Sequence, residues 1–150
     1  MLAAIGSTPY KIVLLLHILS AIVAFAPAMV WPIINVQTRK RGVTVPAEVA
    51  GQVPVNNVLV HGPALVLTGV LGILMIVMSE DVWEFSQVWI SGAFLVFFAL
   101  LGVLFGLLVP AERKAATGDA DAVRKVSMFG GFVHTLLLVM LYLMIFKPGL

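Results

Sequence analysis

The sequence predicts an all-α fold, a transmembrane four-helix antiparallel bundle, and three observations carry that reading. Four uncharged apolar blocks, Ile12–Pro32, Val58–Met78, Val88–Val109 and Val126–Phe146, dominate the chain. Each is about 20 residues long, enough at ~1.5 Å per residue to cross a ~30 Å hydrocarbon core. The loops between them alternate in charge, basic then acidic then basic, and they are short, so sequential helices should be antiparallel neighbours. With their flanks the helices are expected at about 10–34, 58–78, 82–109 and 121–146, within one integral membrane domain spanning 1–150.

Taken in order, the first helix has Thr8-Pro9 as an N-cap with proline at the first helical position. Lys11, the apolar run Ile12–Val23 and Ala24-Phe25-Ala26 imitate a secretory signal with its cleavage site. Pro27 follows at once and the apolar block runs on, so the segment is expected to stay as a span. Pro27 and Pro32 predict a kink or a stop near the end of that helix. Val43–Val55 holds two prolines and reads as an irregular loop with at most a short helical turn. The second helix starts either near His61, with Pro63 in its first turn, or near Asn57 with a bend. Asp81 and Glu84 resemble a capping box ahead of the third helix. Gly118 followed by Asp119 and Asp121 predicts one helix stop and a new start, with Ser127 as the alternative start of the fourth helix.

Composition sets the boundaries. Of 150 residues, 61% are hydrophobic and 11% charged, with a mean hydropathy of +1.12; a soluble domain carries about 25% charge. The net charge of +2 comes from few residues, all in loops or at helix ends, which argues against nucleic acid as a partner. The absence of cysteine excludes disulfides, thiolate metal sites, iron–sulfur clusters and covalently attached haem.

The basic residues also predict orientation. Arg39, Lys40 and Arg41 follow the first block, and Arg113, Lys114, Arg124 and Lys125 follow the third. Only Lys11 and Lys147 lie on the opposite side, where the loop Ser79–Gln87 carries Glu80, Asp81 and Glu84. The positive-inside rule places both basic tips in the cytoplasm and both termini outside.

Small residues mark expected helix contacts, because lipid provides no hydrophobic drive for association. Ala99, Gly102 and Gly106 form a stripe on the third helix. Gly69 and Gly72 lie close on the second, and Gly130 and Gly131 precede His134 on the fourth. Ser20, Ala24 and Ala28 follow His17 on the first. Most such stripes serve contacts within a bundle; some pack a partner protein or leave room for a flat ligand.

The three histidines, His17, His61 and His134, all fall in or at spans, where ionisable groups are costly and usually paired or liganded. From the expected helix ends, His17 lies ~8 Å from the outer side, His134 ~12 Å from the inner side and His61 ~5 Å from the inner side. That pairs His61 with His134 as candidate axial ligands of a b-type haem, with Gly130 and Gly131 leaving room for the macrocycle. The plainer reading is that His61 caps its helix in the interface and His134 hydrogen-bonds a neighbouring helix through a backbone carbonyl or Thr68. In the outer half, His17 with Met75, Met78, Met140 and Met144 offers imidazole and thioether groups suited to Cu(I). Methionine is equally an ordinary filler of apolar bundles. Trp31, Trp83, Trp89, Tyr10 and Tyr142 fit interfacial belts. No nucleophile–base set, phosphate-binding loop or intramembrane carboxylate is apparent. This argues against an enzyme and against a carboxylate-based pump or channel.

Three segments carry a family resemblance: Tyr10-Lys11-Ile12-Val13-Leu14-Leu15-Leu16-His17-Ile18-Leu19-Ser20-Ala21-Ile22-Val23, then Gly62-Pro63-Ala64-Leu65-Val66-Leu67-Thr68-Gly69, and Leu107-Leu108-Val109-Pro110-Ala111-Glu112-Arg113-Lys114. They resemble small bacterial four-span predicted integral membrane proteins of unknown function, over most of the chain. A looser similarity runs to the copper-resistance D membrane domain and to four-helix haem-binding membrane proteins, and it implies His17 as a candidate ligand. The resemblance implies a multi-pass protein of the bacterial cytoplasmic (inner) membrane. The leading functional expectation is a non-catalytic accessory subunit or binding bundle, partnered by another membrane protein or its own copies. A haem b electron carrier and copper handling are the alternatives.

Overall fold

The computed structural model describes residues 5–43 and 45–150. The side chain of Arg39, counted above in the first basic loop, lies outside the described residues. The molecule is all-helical among the described residues: α1 is Thr8–Lys40, α2 Ala47–Val77, α3 Val88–Ala116 and α4 Ala120–Phe146. All four are long and apolar enough to cross a membrane.

The helices outrun the apolar blocks. α1 has 33 residues, ~50 Å of helix against ~30 Å of hydrocarbon. It neither stops at Pro27 nor at Pro32 but continues to Lys40. It begins one residue after Ser7, whose Oγ accepts the Tyr10 N–H at 3.4 Å, so Ser7 rather than Thr8 caps it. The expected irregular loop is instead the first part of α2, which starts at Ala47 and passes through both Pro54 and Pro63.

Two wide turns make this possible. Residues Asn57–His61 of α2 and Gly102–Leu108 of α3 adopt π-helical pairing. In each, the N–H that closes the stretch reaches five residues back, Gly62 to Asn57 and Val109 to Leu104. Each stretch ends just ahead of a proline, Pro63 or Pro110. Proline has no N–H to give to the carbonyl four residues earlier, and a widened turn re-registers the ladder around that missing donor.

The start of α3 differs from expectation. Asp81 and Glu84 form no capping box; α3 begins at Val88, with Gln87 in extended geometry before it and no side-chain cap. Glu80 and Asp81 hold positive φ (52° and 65°) in a tight loop. Buried Ser79 holds that loop by donating to the Ile76 carbonyl and accepting the Trp83 N–H at 2.9 Å. By contrast, the break between α3 and α4 follows the sequence pattern. Gly118 takes φ +92°, and Asp119 Oδ1 accepts the Ala122 N–H at 3.0 Å as the N-cap of α4.

Cross-helix pairs fix the arrangement. His17 and Val23 of α1 meet Thr68 and His61 of α2. Asn57, Gly62 and Gly69 of α2 meet Glu112, Phe105 and Phe97 of α3. Gly92 of α3 meets Leu143 of α4. Sequential helices are therefore antiparallel neighbours. The core lies where α2, α3 and α4 converge on Leu65, Val96, Leu100, Leu108 and Val133, with Ala24, Phe25 and Ala28 of α1 packed against it. The rest of α1 turns apolar side chains such as Ile12 and Ile22 outward, as lipid-facing residues do. At the acidic-loop end, Trp83 Nε1 donates to Tyr10 Oη at 3.1 Å and packs edge-on to Trp89, while Lys147 lies 4.0 Å over the Trp83 ring.

Candidate functional site

The polar groups within the apolar helices gather in a seam between α1 and α2. The His17 Nδ1 donates to the Thr68 carbonyl at 2.9 Å. Ser20 Oγ donates to the His17 carbonyl at 2.8 Å and accepts from Thr68 Oγ1 at 2.9 Å. Gly72 packs against the ring at contact distance: a Cβ there would stand 3.4 Å from His17 Cε1. Ser20, read from sequence as part of a small-residue stripe, is thus a polar contact as well.

His61 has a different task. Its Nδ1 donates to the Val23 carbonyl at 2.7 Å. Val23 lies four residues before Pro27, so the helix itself supplies no N–H to that carbonyl. His61, from the neighbouring helix, replaces the donor that proline removed. His134 folds back on its own helix, its Nδ1 donating to the Gly130 carbonyl at 2.8 Å. Its partner is a backbone carbonyl of its own helix rather than of the neighbouring helix expected, and Thr68 serves His17 instead.

One rule covers all three rings. A carbonyl oxygen only accepts, so each Nδ1 must carry the hydrogen. In the neutral imidazole that leaves Nε2 bare, with its lone pair available to a ligand or a proton. Anchoring one ring nitrogen on a main-chain carbonyl is also how metal-ligating histidines are oriented.

The longer helices revise the depths. Since α2 begins at Ala47, His61 is not near its start. Carried across the cross-helix pairs, His134 comes abreast of Leu101 in α3 and thus about level with Val66 in α2. His17, level with Thr68, is then about 3 Å away along the bundle axis, and His61 about 7 Å. All three rings occupy a slab about 10 Å thick, and His17 is nearer in level to His134 than His61 is.

The second polar site was not legible in the sequence. Asn57 Nδ2 lies 2.9 and 2.7 Å from the two carboxyl oxygens of Glu112, and both residues are buried. The pair joins the wide turn of α2 to the helix that follows the wide turn of α3. In the sequence Glu112 stands out only within the resembling segment 107–114, and Asn57 only as a possible helix start; they are 55 positions apart, so no local pattern links them.

The small residues divide into two groups. Gly69 faces the Phe97 ring and Gly72 faces His17. Gly62, facing Phe105, and Gly92, facing Leu143, do the same work without having been singled out. Gly102, Gly106, Gly130 and Gly131 meet nothing: a Cβ at any of them has open space around it. Ala99 is exposed. Met75, Met140 and Met144 are half-buried and Met78 is buried towards the acidic-loop end, with Met140 against the core. Among the described residues no group of three or more His, Asp or Glu is placed to hold a metal ion.

Residues 11–148 match a family described as predicted integral membrane protein (DUF2269). No curated protein and no solved structure matches the chain.

Proposed function

Since the chain belongs to this family of predicted integral membrane proteins, we propose that it is a non-catalytic accessory subunit or binding bundle of the bacterial inner membrane. It works against a second membrane protein or another copy of itself. Its basic tips face the cytoplasm and its termini the exterior, following the distribution of lysine and arginine. The observation that carries the reading is the open space at Gly102, Gly106, Gly130 and Gly131. By the pairing of α3 with α4, these four lie within about one helical turn of each other in height. Unused glycines on lipid-facing helices permit close approach of another helix backbone. Every buried side-chain polar atom among the described residues has a hydrogen-bond partner.

The test is purification in mild detergent with crosslinking before and after, comparing the native chain with Gly102→Leu and Gly131→Leu. A stable partner or oligomer that the leucine variants lose is the expected result. A monomer at every concentration, before and after extraction, overturns the reading.

A second reading, a b-type haem carrier, is favoured by the bare Nε2 of each anchored imidazole. The revised levels make His17 with His134 the better pair for one iron than His61 with His134. An absorption spectrum of protein expressed with haem supplied should show a Soret band lost in His17→Ala and His134→Ala. No band in the native protein removes this reading.

A further inference from the structure

Where α3 hands over to α4, the chain forms a shallow groove of about 270 Å³ that is half open to the surroundings. Its apolar part is made by Gly106, Leu107, Ala111 and Phe129, and its basic part by Lys114 and Lys125. Gly106 keeps it open, because a side chain there would project into free space. The turn at Gly118, φ +92°, brings the two lysines to one groove although they are eleven positions apart. Lys125 also borders a second depression with Asp121, Arg124 and Met128.

The charge balance favours an anion. Residues 113–125 contain four basic and two acidic side chains. One of the two acids, Asp119, lines the groove, but its Oδ1 is held by the Ala122 N–H at the start of α4. What the groove offers is an apolar channel on the lipid-facing part of a hairpin, ending in paired ammonium groups at the membrane edge. We propose that it holds one anionic phospholipid, its phosphate between Lys114 and Lys125 and an acyl chain along Gly106, Leu107, Ala111 and Phe129. Basic pockets between helices at a membrane surface suit anionic headgroups, and the bilayer presents this ligand at all times. Gly106 is also one of the four open glycines of the proposed docking face, so a lipid in this groove leaves Gly102 and Gly131 as the points of approach for a partner helix.

The experiment is native mass spectrometry of the full chain, titrated with phosphatidylglycerol and, separately, phosphatidylcholine of the same acyl chains. Phosphatidylglycerol should be retained about tenfold better or more. Lys114→Ala with Lys125→Ala should remove most of that preference. Lys40→Ala with Arg41→Ala, which deletes the same charge from the other basic loop, should change it less than about twofold. Gly106→Leu should weaken phosphatidylglycerol binding with no change in charge. Helicity by circular dichroism confirms that each variant folds. Equal retention of the two lipids overturns the proposal, as does an equal loss in the Lys40/Arg41 variant. Displacement of phosphatidylglycerol by inorganic phosphate, with Gly106→Leu behaving as native, would assign the lysines to free phosphate and overturn the lipid.

Discussion

Replacing His61 by phenylalanine isolates a contact that α1 takes from its neighbour where Pro27 removes a helical donor. In the native chain the Val23 carbonyl has no donor from Pro27 and takes one from His61 at 2.7 Å. Phenylalanine keeps bulk near the same place and removes the donor. A carbonyl left unpaired away from water is disfavoured by about 1–3 kcal/mol. Side-chain hydrogen bonds between membrane helices have measured near 0.6 kcal/mol on average, up to about 1.7. Because Val23 has no alternative donor, the upper part of that range applies, and we expect a loss of about 1.5 kcal/mol. Pro27→Ala gives residue 27 an N–H that reaches the same carbonyl. In that background, His61→Phe should lose only a few tenths of a kcal/mol, leaving a coupling energy of about 1 kcal/mol. His61→Gln, which keeps an N–H donor, should recover part of the loss. The assay is reversible unfolding in mixed micelles for the two single variants, the double variant and the native chain. Additivity within about 0.3 kcal/mol would refute the reasoning, because it would mean that proline and histidine do not share an acceptor.

The glycines should separate by position. Gly62→Ala drives a methyl into the Phe105 ring and to 2.8 Å from the Asn57 carbonyl, and should destabilise by about 1–3 kcal/mol; Gly130→Ala, in open space, should be neutral or stabilising by up to about 1 kcal/mol. Both are read from the same unfolding curves. Asn57→Leu strands the Glu112 carboxyl among apolar side chains and should lose about 2–3 kcal/mol, whereas Asn57→Leu with Glu112→Leu should recover most of it, since replacing both partners leaves nothing unpaired. Asp119→Ala removes the cap of α4 and should lose about 1 kcal/mol, seen as increased hydrogen exchange confined to the first turn after Ala120.

The spans were legible because hydropathy over about 20 residues is a strong signal in a chain this apolar. Their ends were not. Ala47–Asn56 carries Glu48, Gln52, Asn56 and Pro54, which read locally as a loop; neighbouring helices and a widened turn override that preference. Asp81 and Glu84 have the spacing of a capping box, but Glu80 and Asp81 take positive φ in a loop that Ser79 holds, and the helix begins only after Gln87. The three histidines were visible as unusual residues in apolar surroundings. Which carbonyl each one takes was not, because no side-chain pattern announces it. The depth argument measured His61 from the edge of the apolar block at Val58, whereas α2 begins eleven residues earlier, at Ala47. Asn57 with Glu112 needed the packing of α2 on α3 to appear at all.

The indole groups give this molecule a built-in gauge of its own integrity. Trp83 and Trp89 sit within 5.4 Å of each other beneath the Lys147 ammonium, while Trp31 lies far along α1 towards the opposite rim. Emission from the paired indoles reports whether the chain's two extremities are clasped together, and emission from Trp31 reports on the other rim. Substituting one or the other turns a single fluorimeter trace into a record of which rim frays first.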